Sequence, residues 1–195
     1  MSTRYIALSG TLLAIVFLAH AAGRITQIGG AQVAPSIAIY VLMALLIAPR
    51  LPWGALAGIA LAIGFLTSIA TSSPFPPANY PAHGVGFLVA CAFAKAWSAS
   101  DTPLNTAQII LTLTVTLLTS WTLFAVTTWF GLTGSPFTEQ AFTRFNLPLG
   151  QGLAAWWLAG FLAVAIPTWI IGIILTPLLY RAVRPALVRQ GLLAA

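Results

Sequence analysis

Residues 104–130 read LNTAQIILTLTVTLLTSWTLFAVTTWF. No charged side chain interrupts the run, and a helix rising 1.5 Å per residue over this length exceeds the ~30 Å hydrocarbon core of a bilayer. Working outward, apolar stretches recur at 5–22, 33–48, 53–71, 82–97 and 153–180. The sequence therefore predicts an all-α, polytopic integral membrane protein, a six-helix transmembrane bundle forming a single domain over 1–195. Pro167 predicts a kink in the last helix, and Pro49, Pro52, Pro103, Pro177 and Pro185 predict helix ends.

Composition points the same way. Hydrophobic residues make up 59% of the chain and charged residues 5%, against roughly a quarter charged in soluble domains. Mean hydropathy is +0.98. The net charge of +6 comes from eight basic and two acidic residues scattered singly between apolar stretches, which reads as membrane topology and not as a nucleic-acid surface. A single cysteine, Cys91, rules out internal disulfides and multi-thiolate metal sites. The first apolar run has no small-residue cleavage site and reads as a retained helix.

Six spans place Arg4, Arg50, Lys95, Arg181, Arg184 and Arg189 on one side and only Arg24 and Arg144 on the other. The richer side is normally cytoplasmic, so the expectation is a multi-pass cell-membrane protein with both termini inside. The connections at 23–32, 72–81 and 131–152 then lie outside. The second holds four prolines around Phe75, Asn79 and Tyr80, which stiffen it. The third surrounds Phe137, Phe142 and Phe145, beside Glu139 and Arg144, with glycine and proline, and reads as an amphipathic lid or as a segment packed at the interface.

Between these loops the sequence suggests a cavity. Threonines and Ser120 along 104–130, with Trp121, Trp156 and Trp157, suit a neutral or zwitterionic ligand held by hydrogen bonds and aromatic contact. The competing reading is that membrane threonines bond their own backbone or a neighbouring helix and that tryptophans simply mark the interface. Catalysis has little to work with: Asp101 and Glu139 are predicted on opposite faces, and no nucleophile elbow, zinc helix or phosphate loop is present. The chain is not expected to be an enzyme, and no cofactor is assigned. His20 and His83 share one predicted level, where they would be able to flank a haem or simply hydrogen-bond. Ala7, Gly10, Ala14 and Ala21 give the first helix a small-residue face suited to close helix approach.

With these features in place the chain resembles the substrate-binding S component of an energy-coupling factor transporter. Residues 69–95, IATSSPFPPANYPAHGVGFLVACAFAK, more narrowly resemble the tryptophan-transporter-like branch. The chain departs from that pattern in having Gly10-xxx-Ala14 for alanine with alanine, and in lacking an acidic residue at the head of the fourth helix. The resemblance implies capture of a small solute, tryptophan or a vitamin-like molecule, at the outer face. It also implies docking of the first helix, through Ala7, Gly10 and Ala14, onto a membrane coupling protein driven by cytoplasmic ATPases that bind ATP. Phe75, Asn79, Tyr80, Trp121 and Trp156 would contact the solute. Two other classes stay open: an assembly subunit of a membrane complex, and a haem or redox protein using His20 and His83.

Overall fold

A computed structural model describes residues 3–25, 27–28, 31–73, 75–98, 103–133 and 151–193. The expected features at 134–150, with Glu139, Arg144 and the three loop phenylalanines, lie outside the described residues, as does Asp101. Among the described residues the regular structure is helical apart from one antiparallel pair of two-residue strands. In order, the elements are α1 (Thr3–Ala22), β1 (Gln27–Ile28), β2 (Ala31–Gln32), α2 (Ser36–Ile47), α3 (Trp53–Ala70), α4 (Asn79–Trp97), α5 (Thr106–Leu132), α6 (Leu153–Gly160) and α7 (Ile166–Arg189). A five-residue π-helical turn, Phe161–Ala165, joins α6 to α7.

Four helical stretches are long and apolar enough to cross a membrane: Tyr5–Ala22, Trp53–Ala70, Thr106–Leu132 and Leu153–Arg189. Helix α2 is shorter, at 12 residues, or about 18 Å of rise. It is apolar on all sides and almost wholly buried, as a helix without a polar face must be. Helices α1, α4, α5 and α7 pack on it, and α4 packs most extensively on α3 and α5. Helix α1 turns Ser9, Leu12, Val16 and His20 inward at spacings of three and four. Leu18, Leu61, Phe65, Phe130, Leu162 and Leu178 remain exposed, an outward apolar belt of the kind hydrocarbon would cover.

Prolines behave differently from the sequence expectation. Pro177 and Pro185 lie inside α7 and do not end it. Each removes one backbone hydrogen bond, but unwinding in an apolar setting would strand several donors and acceptors, so the helix runs on. The irregularity expected at Pro167 is the π turn just before it, where the Ile166 N–H donates to the Phe161 carbonyl. Pro167 has no N–H to give, and a widened turn takes up the mismatch. Pro81 belongs to the first turn of α4, which proline tolerates, so the expected loop at 72–81 is shorter and Asn79 and Tyr80 are helical.

The two ends of the chain meet. Tyr5 donates its hydroxyl hydrogen to the Leu192 carbonyl at 2.6 Å, placing the start of α1 beside the end of α7. At this basic end, Lys95 donates to the Leu51 carbonyl at 2.8 Å and lies 5.5 Å from the Trp53 ring centre. The opposite, hairpin end carries β1–β2 and the connection from α3 to α4.

Candidate functional site

A cavity opens at the hairpin end, bounded by α1, α2, α4, α5 and the α6–α7 segment. About 60 Å³ of it is open to the centre of a water-sized sphere, so it admits several such groups. One wall is aromatic and apolar: Trp121, Phe124 and Leu117 from α5, facing Trp156, Val164 and Ala165. The indoles are committed by their N–H groups. Trp121 donates to the Trp157 carbonyl at 3.1 Å, and Trp156 donates to the Ala125 carbonyl at 3.0 Å. Only their rings are left to face the cavity. Gly160 makes the Trp121 position possible, since a Cβ there would overlap the ring.

The facing wall is built from imidazoles. His20 on α1 and His83 on α4 are 2% and 5% exposed, with ring centres 4.9 Å apart and planes at 80°. His20 Nδ1 shares a 2.9 Å hydrogen bond with the Ser36 hydroxyl. Its Nε2 has no partner, and neither has Nδ1 of His83. Tyr40 packs edge-on to His83 at 5.8 Å and shares a 2.8 Å hydrogen bond with Ser120, another lining residue. An unpartnered buried polar atom costs about 1–3 kcal/mol. A hydroxyl such as that of Thr116 or Thr128, also unpartnered, can rotate towards a carbonyl of its own helix. A ring nitrogen cannot.

The rim is tied by two side chains. Arg24 donates to three carbonyls at the end of α3: Ala70 at 2.6 Å, Ile69 at 2.9 Å and Thr71 at 3.2 Å. Gln32 donates to the His20 carbonyl and accepts from the Ser72 N–H at 3.1 Å and the Ser72 hydroxyl at 3.2 Å. The hairpin is thereby fastened both to α1 and to the chain leaving α3. Asn79, 1% exposed, donates from Nδ2 to the Pro76 carbonyl at 2.9 Å and lines the cavity beside His83.

Of the solute-contacting residues implied by the resemblance, Asn79, Trp121 and Trp156 come together here. Phe75 and Tyr80 are not part of the lining. Phe75 packs over Gly131 at the end of α5, and Tyr80 is 41% exposed and leans on Phe65. Helical geometry explains the split: Asn79 and Tyr80 open α4 and are rotated about 100° apart. Four threonines of α5, Thr112, Thr114, Thr119 and Thr122, serve as ties, as the competing reading had it for membrane threonines. Thr112, Thr114 and Thr119 donate to carbonyls four residues back, and Thr112, Thr122 and Thr114 accept from the indoles of Trp97, Trp157 and Trp169. Ser120 is the α5 hydroxyl that lines the cavity.

No known family, curated protein or solved structure matches this chain.

Ala7, Gly10 and Ala14 point away from the bundle, and a Cβ at Gly10 would meet nothing within 4 Å. The same holds for Gly54 and Gly58 on α3, a small-residue pair that the sequence reading passed over although its four-residue spacing was there to find. The residues it underrated were His20, His83, Ser36 and Gln32. Nothing in their spacing signals a shared site. A haem between the two histidines does not fit: rings 4.9 Å apart at 80° leave no slot for a macrocycle, and the cavity is too small to contain one. Among the described residues no group of three or more histidine, cysteine or acidic side chains is placed to hold a metal.

Proposed function

We propose that this chain is the solute-binding membrane subunit of an uptake system, an S component of the energy-coupling factor type, with six spans and both termini in the cytoplasm. The observation that carries the reading is the cavity at the hairpin end, roofed by tied loops and walled by aromatic rings opposite polar groups, an arrangement typical of small-ligand sites. The hairpin end is the outer face in this reading because Lys95, Arg181 and the meeting of the two chain ends lie at the other. A neutral or zwitterionic solute enters there. The outward small-residue face of α1 then docks a coupling protein, and partner ATPases supply the energy that this chain, without a phosphate loop, cannot. A bundle serving only assembly would have no use for a cavity of mostly apolar walls with a few polar groups, so the assembly reading ranks second.

The experiment is affinity capture of the tagged chain with candidate coupling proteins and ATPases from its own cells, together with ATP-dependent solute uptake in cells carrying all components. Gly10→Leu with Ala14→Leu should abolish capture and uptake while solute binding by the purified chain persists. Capture that survives both leucines would overturn docking through α1. For topology, single cysteines at Ser72 and Gln190 should react with an impermeant reagent from opposite sides of the membrane. Labelling of both from outside would reverse the assignment of the ends.

A further inference from the structure

The cavity has two chemically distinct halves, and only one has hydrogen-bonding capacity left over. On the aromatic side both indole N–H groups are spent on backbone carbonyls. On the imidazole side His20 Nε2 and His83 Nδ1 are buried and unpartnered, and the two rings, carried by helices remote in sequence, have centres 4.9 Å apart. A neutral imidazole presents a donor at one nitrogen and an acceptor at the other, the tautomer being selected by whatever the second nitrogen meets. The Ser36 hydroxyl can either give or take a hydrogen at His20 Nδ1. Nε2 can therefore serve in the complementary role. Two neighbouring imidazoles, each with an unpartnered nitrogen of adjustable polarity, match a ligand that carries a donor beside an acceptor.

Charge narrows the class. The described lining offers no carboxylate for an ammonium or a metal cation. Among the described residues, the guanidinium at this rim, Arg24, is engaged with three carbonyls. A full charge placed there would be desolvated without a counter-ion.

Resting on the reading of this cavity as a solute site, we infer that His20 and His83 together form its hydrogen-bonding floor and select an uncharged, flat ligand. The edge of that ligand, an N–H beside a C=O as in a lactam or amide heterocycle, meets the two imidazoles, and its face lies against Trp121 and Trp156. This narrows the solute from the neutral or zwitterionic class to the neutral one, and it disfavours tryptophan itself.

The chain has only two histidines, so a sample labelled with ¹⁵N-histidine reports on this pair alone. The full-length protein in nanodiscs at fixed pH would be titrated with 2-pyridone, uracil and nicotinamide, and separately with tryptophan and Zn²⁺. At least one ring compound should move the imidazole signals of both histidines saturably. His83→Ala and His20→Ala should each weaken its binding about tenfold, while thermal unfolding shows whether the variants remain folded; the wild-type titration decides the matter if they do not. The inference is overturned if none of the three ring compounds moves either signal, if tryptophan alone does, or if Zn²⁺ moves both signals and the rings do not. Tryptophan binding would leave the uptake reading standing while removing this one. Ring binding combined with failure to capture any coupling partner would do the reverse.

Discussion

Lys95, Arg181 and Tyr5 close one end of the bundle by reaching Leu51, Thr106 and Leu192, whereas at the other end Arg24 and Gln32 fasten only the rim, above two imidazoles with unpartnered nitrogens. The contrast follows from side-chain reach. Lysine and arginine have long stems that let a charged head find carbonyls at a helix terminus while the stem stays in apolar surroundings. A histidine ring is held one bond from its helix and takes the partners that packing brings to it. The cations of the basic end can therefore find oxygens to bond. The hairpin end retains polar capacity that a ligand can use.

The harshest way to break the comparison is to remove a large ring from each end. Trp156→Ala takes away a side chain that is 1% exposed and should cost about 3–5 kcal/mol, read as a large drop in unfolding temperature in detergent. Trp53→Ala at the basic end, where the ring is 50% exposed, should cost less than about 1 kcal/mol. Equal losses would mean that the cavity wall is no more critical to packing than the surface. Next in size is Gly86→Leu, whose side chain would collide with Ser120 and press on the Tyr40 hydroxyl behind the histidines. Overpacking of this kind costs about 1–3 kcal/mol, while Gly58→Leu, with nothing within 4 Å, should stay within about 0.5 kcal/mol.

Ligand binding sharpens the same contrast within a single turn of α4. Asn79→Ala should lower affinity for the bound solute about tenfold, roughly 1.4 kcal/mol, and Tyr80→Ala should leave it unchanged, because Tyr80 lies outside the lining. A loss at Tyr80 equal to that at Asn79 would move the site onto the α3–α4 connection. The smallest effect concerns the rim. Arg24→Met removes hydrogen bonds that are largely exposed and should cost about 1 kcal/mol, seen as faster hydrogen exchange confined to residues 69–73. Lys95→Met should speed exchange only around Leu51. Exchange spreading through α3 in either variant would show that the ties hold the helix itself and not merely its end.

Much of this was legible in the sequence because it rests on local chemistry. Uncharged apolar runs predict helices wherever they occur, and the cores of all the predicted spans are helical. The prolines were read less well, since a proline states only that one N–H is missing. Whether the chain bends, widens into a π turn as it does before Pro167, or runs straight on as at Pro177 depends on the neighbours available to the freed carbonyl. Of the site, Asn79, Trp121 and Trp156 were legible as aromatic and amide groups near predicted helix ends. Phe75 and Tyr80 shared that composition yet fall elsewhere, because composition carries no rotation angle.

The sequence alone determined the class of molecule. A chain with 5% charged residues and recurrent apolar runs longer than strands reads as helical, since a helix bonds each backbone group within its own segment. Only the tertiary structure decided which polar side chains meet. His20 and His83 lie on separate helices, each a lone polar residue on an inward face, and periodicity assigns a residue to a face without saying what that face will touch. The packing of α4 between α3 and α5, with α1 and α2 alongside, sets the two rings 4.9 Å apart beneath the hairpin. Their pairing depends on helix packing angles and offsets, which no local pattern in the chain encodes.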